Sequence, residues 1–102
     1  MFCVMYEFEV MAEYENEFRN IWRQITLDVK ENSISQGSRL HQDIDNPNRY
    51  LAYAQWPTQS AWEEFAPLNA DIHAELTDRM REICSNISIL YKLEVVDNLL
   101  LS

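Results

Sequence analysis

The spacing of apolar residues changes from every second position to every third or fourth within the first 30 residues, and this change strongly limits the fold. From Phe2 to Val10, apolar and polar side chains alternate, as in a strand with one buried face. From Glu13 the apolar residues fall on one helical stripe: Tyr14, Phe18, Ile21, Trp22, Ile25 and Val29. The sequence therefore predicts a strand followed by an amphipathic helix that ends near Glu31–Ser33.

The remainder of the chain predicts a strand hairpin, then helices, then a last strand. A turn-rich segment, residues 43–48, joins two further predicted strands into a hairpin. A short helix from Ser60, a longer one after Pro67 and a last strand follow. The three predicted strands are residues 35–42, 49–56 and 86–96. The order β-α-β-β-α-β predicts a ferredoxin-like α+β fold with a four-stranded antiparallel sheet, formed by one domain over residues 1–102.

The two helices of such a fold cover only one face of the sheet. The other face would expose an apolar set: Met5, Leu51, Tyr53, Leu90 and Val96. A contiguous apolar patch on so small a domain usually marks an interface. We therefore expect a homodimer that pairs through the sheet face opposite the helices.

Charge and cysteine content limit the partners and the compartment. The formal net charge is −9, from 17 acidic and 8 basic residues, which disfavours nucleic acid and anionic membrane surfaces as partners. No apolar run reaches the roughly 20 residues of a membrane span, and the first residues do not read as a signal peptide. Cys3 and Cys84 are expected to be reduced thiols in a cytoplasmic protein, and no Cys/His spacing suggests a metal site.

One short motif points to a family. Tyr53-Ala54-Gln55-Trp56 ends the third predicted strand, and Trp62 follows in the next helix. On this topology and length, the motif resembles the antibiotic biosynthesis monooxygenase family over nearly the whole chain. The resemblance implies a dimeric α+β barrel with a pocket between sheet and helices in each subunit. The family includes cofactor-independent oxygenases, haem-degrading enzymes and isomerases.

The aromatic-polyketide oxygenases of that family suggest which residues to examine. They combine an Asn and a Trp on the third strand with an aromatic hydroxyl on the following helix. Trp56 matches the Trp, Trp62 falls at the position of the helix Tyr, and Ala52 stands where the Asn is expected. The Arg of the later helix has no clear match, although Arg79 is nearby. The haem-degrading branch fits less well, since it expects an Asn on the first strand, where this chain has Tyr6 and Phe8.

The candidate site follows from these positions. Trp56 and Trp62 are expected to wall a pocket, with Ala52 and Tyr6 as further substrate contacts. His41 and His73 are the candidate catalytic residues for proton transfer, because imidazole titrates near neutral pH. The alternatives are that the tryptophans are core residues and that the histidines are exposed or lie at an interface.

The favoured hypothesis is a cofactor-independent monooxygenase acting on a small planar aromatic of the quinol or phenol type. In such a reaction the deprotonated substrate itself reduces oxygen, so no cofactor or metal is expected. One alternative is a non-catalytic dimeric small-molecule binding or stress-response module of the same fold. A second alternative is an isomerase of a small carbonyl metabolite, which would depend on the histidines. The fold does not decide among the three.

Overall fold

The computed structural model describes residues 1–68 and 74–100, with side chains throughout except at residues 66–68. Its strands are β1 (Phe2–Val10), β2 (Ser38–Gln42), β3 (Arg49–Trp56) and β4 (Cys84–Glu94). Its helices are α1 (Glu15–Glu31), α2 (Gln59–Leu68) and α3 (Ala74–Ile83), and a 3₁₀ turn, Ala12–Tyr14, precedes α1. The antiparallel strands form one sheet in the order β2-β3-β1-β4. The predicted ferredoxin-like α+β fold is confirmed.

Helix α1 forms where the sequence predicted it. Glu15 and Glu17 lie in its first turn and Lys30 lies in its last turn, so the negative and the positive charges each complement the helix dipole. At its C-terminus the Asn32 side-chain amide donates to the Asp28 carbonyl oxygen (2.8 Å) and satisfies an end group of the helix. Gly37, with φ of +97°, then turns the chain into β2 in a conformation that other residues rarely adopt.

The core lies between the sheet and the helices. The ring of Phe18 on α1 packs between Phe8 of β1 and Tyr50 of β3, with centroids 5.1 Å away in both cases. Val10 and Ile83 close this cluster. A second cluster, formed by Phe2, Val4, Ala54 and Trp56, continues toward the other end of the sheet. Both clusters use the alternate residues of β1 and β3 that the sequence assigned to the buried face.

Strand β4 departs from its predicted alternation. Its pairing with β1 shifts between Met5 and Tyr6, so that Tyr91 lies opposite Met5 whereas Ile89 lies opposite Tyr6. Opposed residues share a sheet face, and the extra residue Leu90 therefore reverses the sides. The prediction that Leu90 lies on the same sheet face as Met5 was wrong for this reason. No helix within the described residues is long and apolar enough to cross a membrane.

The sheet face away from the helices, called the open face below, thus has a revised composition. It carries Met5, Leu51, Tyr53, Tyr91 and Leu93. Leu90 lies in the bulge, and Val96 lies beyond the end of β4, so neither belongs to the regular face. Tyr91 and Leu93 are 59% and 45% exposed. The expected apolar face therefore exists, with two of its five predicted members replaced.

Other boundaries differ by a few residues. Strand β2 begins at Ser38, three residues later than predicted, because the chain makes side-chain-capped turns through Ser33 and Ser35. Strand β4 begins at Cys84, two residues earlier than predicted. Helix α2 extends past Pro67 to Leu68.

Candidate functional site

A cavity of about 280 Å³ lies between the sheet and the helices. Its floor is formed by β1 and β3 and its roof by all three helices. The lining residues are Tyr6, Phe8, Trp22, Ile25, Thr26, Val29, Ser35, Ser38, Ala52, Ala54, Trp56, Trp62, Phe65, Thr77 and Met80. This volume lies at the lower end of the range for ligand pockets, about 300–1,000 Å³, so the space suits only a small molecule.

Small side chains on β3 create the cavity. Along the helix-facing side of this strand the order is Tyr50, Ala52, Ala54 and Trp56, all buried. The large aromatic side chains at both ends keep the helices away from the sheet. The two alanines between them are too small to fill the space that remains above the strand. The pairing places Ala52 beside Tyr6 of β1, so the cavity floor carries one hydroxyl group next to a methyl group.

Both tryptophans that the sequence predicted as pocket walls, Trp56 and Trp62, line this space. Trp56 is 4% exposed and its ring packs against Phe65 of α2 with centroids 5.6 Å apart. The Trp62 ring packs 5.5 Å from Phe2, and the Lys92 ammonium lies 5.4 Å from its centroid. Each ring is therefore both a packing residue and a cavity wall.

A hydrogen bond joins the first strand to the second helix at the cavity. The Trp62 Nε1–H donates to the Tyr6 hydroxyl oxygen at 2.9 Å. An indole nitrogen can only donate, so Tyr6 accepts here and keeps its own hydroxyl hydrogen for another acceptor. Burial raises the pKa of Tyr6 above its ordinary value, although the bond from Trp62 opposes this shift. Tyr6 is therefore a neutral hydrogen-bond donor at physiological pH and cannot act as a base there.

The cavity is also lined by four further residues with hydroxyl groups. Ser38 Oγ donates to the Tyr53 carbonyl oxygen (2.9 Å), and Ser35 Oγ accepts from the Gly37 N–H (3.1 Å). Thr26 and Thr77 contribute from α1 and α3. Among the described lining residues, none carries a charge at neutral pH. The cavity is thus suited to a neutral, largely apolar ring system.

The structure brings together four of the six predicted site residues. Tyr6, Ala52, Trp56 and Trp62 all line the cavity. His41 does not, because it pairs with Leu51 on the opposite side of the sheet, where its Nδ1 lies 3.3 Å from the Leu51 carbonyl oxygen. The expected convergence of His41 with the tryptophans is therefore not found. His73 lies outside the described residues.

Arg79, considered as a counterpart of the family's helix arginine, lies outside the cavity. Its guanidinium forms a two-point ion pair with Glu17 of α1 and a further one with Glu82, and it stacks over the Tyr14 ring at 5.2 Å. Arg79 thus joins α3 to α1.

Within the described residues, no group of three or more His, Cys, Asp or Glu side chains is arranged to hold a metal ion.

Sequence reasoning missed the contribution of α1 and α3. Trp22 and Thr26 reach the cavity from α1, and Thr77 and Met80 reach it from α3. The helical stripe correctly marked Trp22 as inward-facing. Periodicity cannot distinguish an inward residue that packs tightly from one that borders an empty space.

Comparison with known proteins places the chain in a family. The sequence model for antibiotic biosynthesis monooxygenase matches residues 1–68, which is two thirds of the chain. The chain belongs to the antibiotic biosynthesis monooxygenase family. The matched part includes Tyr6, Ala52, Trp56 and Trp62. Among curated proteins, none matches this family member significantly in sequence.

Solved structures support the fold of this family member. A protein that carries the family name, from Deinococcus radiodurans, has a TM-score of 0.80 at 14% identity and covers 100% of this chain and 99% of its own. SnoaB, a cofactor-independent oxygenase from Streptomyces nogalater solved as an Asn-to-Ala mutant, has a TM-score of 0.79 at 15% identity, with 96% and 95% covered. A Bordetella bronchiseptica protein of the same family name reaches 0.78 at 19% identity, with 93% and 96% covered. At these identities the likeness concerns the fold alone.

Proposed function

We propose that this family member is a cofactor-independent monooxygenase for a small planar aromatic of the phenol or quinol type, bound in the cavity between sheet and helices. The observation that carries the proposal is the Tyr6–Trp62 hydrogen bond, which leaves a neutral hydroxyl donor beside Ala52 in an uncharged, aromatic-walled space. Family membership supports an oxygenase, and the structural relative SnoaB is described as a cofactor-independent one.

Binding uses the aromatic walls and the Tyr6 hydroxyl. A planar ring system packs between Trp56 and Trp62 in offset or edge-to-face contacts, which contribute more than their buried area alone. The Tyr6 O–H then donates to an oxygen of the ligand, since its own oxygen already accepts from Trp62. This donor selects a ring that carries a hydroxyl, phenolate or carbonyl oxygen.

The chemistry depends on the substrate's own acidity. Among the described lining residues the only titratable group is Tyr6, and its pKa is raised, so the protein offers no base there at neutral pH. The substrate proton leaves to water, and the Tyr6 hydroxyl stabilises the resulting anion in a site of low polarity. The anion reduces dioxygen, one oxygen atom becomes a ring carbonyl and the other leaves as water, so that the CH₂ group of the substrate's keto tautomer and O₂ yield C=O and H₂O.

Oxygen uptake with anthrone, an acidic three-ring substrate, tests this reaction. Wild-type protein should consume one O₂ per anthraquinone formed, and the rate should rise with pH through the ionisation of the substrate. Tyr6→Phe should slow turnover about tenfold to a hundredfold, because a hydrogen bond to a charged group is lost. Tyr91→Phe, on the open face and outside the cavity, is the matched control and should not change the rate. Uptake no faster than in buffer would contradict the oxygenase.

A non-catalytic binding module is the second candidate. Ala52 favours it, because the family's oxygenases are expected to carry an Asn there that stabilises the substrate anion or bound oxygen. The variant Ala52→Asn separates the two candidates. An oxygenase should gain rate from the added amide, whereas a binding module should bind the ligand tightly with no turnover in either form. The isomerase alternative lacks support in the described residues, since His41 lies on the far side of the sheet.

The open face completes the proposal as a homodimer interface. It is largely apolar and is not covered by the helices, and three of its nearby charges are paired: Glu7 pairs with Arg49, which also pairs with Asp43. Paired charges can be buried against a second copy at a lower cost than isolated ones. Two copies related by a two-fold axis would cover each other's open face and leave one cavity in each subunit.

A further inference from the structure

A groove that contains three arginines lies beside the cavity. It runs between α1 and β2, and Arg19, Arg23 and Arg39 border it. Trp22 and Ser38 line both the groove and the cavity, so the two spaces adjoin at a shared wall. The groove is called the arginine groove below. A molecule with its ring in the cavity would therefore have this groove next to it.

The arginines of the groove differ from the other three in the chain. Arg49, Arg79 and Arg81 each pair with at least one carboxylate. Among the described residues, no carboxylate lies within ion-pair distance of Arg19, Arg23 or Arg39. The chain has 17 acidic residues and a net charge of −9. In such a chain, three arginines without ion-pair partners beside one cavity indicate a local field suited to an anion.

Arg19 is held in place by neutral groups. Its Nε and Nη2 donate to the Tyr50 hydroxyl oxygen at 3.3 and 3.2 Å, and Nη2 also approaches the Gln42 Oε1 at 3.4 Å. The guanidinium carbon lies 5.6 Å from the Tyr50 ring centroid. These contacts orient the guanidinium, and the Nη1 hydrogens have no part in them. The Glu15 carboxylate, four residues earlier on α1, acts on Arg19 electrostatically without lying within ion-pair distance.

Arg23 lies one helical turn after Arg19 on the same side of α1. Its neighbours three and four positions away are Arg19, Asn20, Thr26 and Leu27, none of them acidic. Two like charges at this spacing repel each other and destabilise the helix. An anion between the two guanidinium groups would turn that repulsion into attraction.

We propose that the arginine groove is a subsite for an anionic substituent, a carboxylate, sulfate or phosphate, on the aromatic molecule whose ring occupies the cavity. The inference rests on the proposed function, because it assumes that the ring lies in the cavity. Arg19 and Arg23 contact the anion with the geometry that guanidinium groups offer to planar oxyanions. Arg39 lies on the edge strand opposite Tyr53, with its Cα–Cβ bond toward the open face, so it contributes through its charge alone.

Tryptophan fluorescence titrations with matched ligands test the subsite. The probes are 1-naphthol, 1-hydroxy-2-naphthoic acid and 1-naphthyl phosphate, with inorganic phosphate alone as a further arm. In wild-type protein at low salt, the two anionic ligands should bind about tenfold more tightly than 1-naphthol, as expected for a charge-assisted hydrogen bond. Comparison of the two shows whether a carboxylate or a phosphate fits better. The gain should shrink as salt is added.

Substitutions locate the effect. Arg23→Gln and Arg19→Gln should each remove most of the gain and leave the affinity for 1-naphthol within about twofold, since neither side chain lines the cavity. Arg39→Gln should remove less. Arg81→Gln, an exposed arginine of α3 that faces Asp78, is the matched control and should leave the gain intact.

Each outcome separates the two proposals. Equal binding of 1-naphthol and its anionic relatives by wild-type protein would overturn the subsite and leave the aromatic cavity standing. A gain that persists in the Arg19→Gln/Arg23→Gln double variant would also overturn the subsite. Failure of all three naphthyl ligands to bind would overturn the cavity proposal and the subsite together. Binding of inorganic phosphate as tight as that of the naphthyl phosphate would contradict the assigned role of the ring.

Discussion

The two faces of the same sheet have opposite properties. The helix-facing side is covered, is built from aromatic residues around two alanines and, among its described cavity residues, carries no charge. The open face is uncovered, is apolar at Met5, Tyr53 and Tyr91, and has a paired-charge cluster of Glu7, Arg49 and Asp43 at its edge. A strand with apolar residues on both sides can thus contribute to a core with a cavity on one sheet face and leave an apolar surface on the other.

The largest expected effect comes from the covered face. Phe18→Ala removes a fully buried ring from between Phe8 and Tyr50 and should lower the free energy of unfolding by about 3–5 kcal/mol. Urea denaturation at a fixed protein concentration measures it. Leu27→Ala, on the exposed side of the same helix, should change it by less than about 1 kcal/mol. Equal losses in both variants would mean that the core does not lie between α1 and the helix-facing side of the sheet.

Substitutions on the open face should change dimerisation rather than the stability of the fold. Tyr91→Glu places a negative charge on each copy of the proposed interface and should weaken dimerisation about a hundredfold or more, because like charges are brought together. Sedimentation velocity over a range of concentrations measures this change. Ile44→Glu, in a turn and 93% exposed, is the control. A wild-type protein that stays monomeric at all concentrations would rule out the dimer.

The smallest effect concerns the charge cluster at the edge of the open face. The Asp45 N–H donates to the Asp43 carboxylate at 2.9 Å, and Arg49 adds an ion pair, so the pKa of Asp43 is lowered. A lowered pKa stabilises the folded state above the unfolded-state value near 4, and this contribution is lost as pH falls through the folded-state pKa. The stability gap between wild type and Asp43→Asn should therefore close in acid.

Urea denaturation at a series of pH values from neutral to strongly acidic measures that gap. Asp97→Asn, in the exposed C-terminal segment, is the matched control for the loss of one surface carboxylate. A gap for Asp43→Asn that stays constant into acid would show that the carboxylate charge is not what stabilises the turn.

Periodicity predicted most of the fold and part of the site. The alternation in β1 and β3 and the stripe of α1 gave the correct buried faces, because burial on one side dictates those patterns. The bulge at Leu90 was not predictable, since it depends on how β4 pairs with β1 and not on β4 itself. His41 was misplaced as a cavity residue because its own strand is polar on both sides. The pairing with Leu51 alone decides which way it points.

The central claim is that the space above Ala52 is the ligand site, and a fluorescence titration with 1-naphthol tests it most directly. Ala52→Leu fills the floor of the cavity, whereas Ala74→Leu adds the same side chain to an exposed position of α3. Saturable quenching by 1-naphthol should occur in wild type and in Ala74→Leu. It should be lost in an Ala52→Leu protein whose circular dichroism shows that it is folded. Unchanged binding in folded Ala52→Leu would contradict the account.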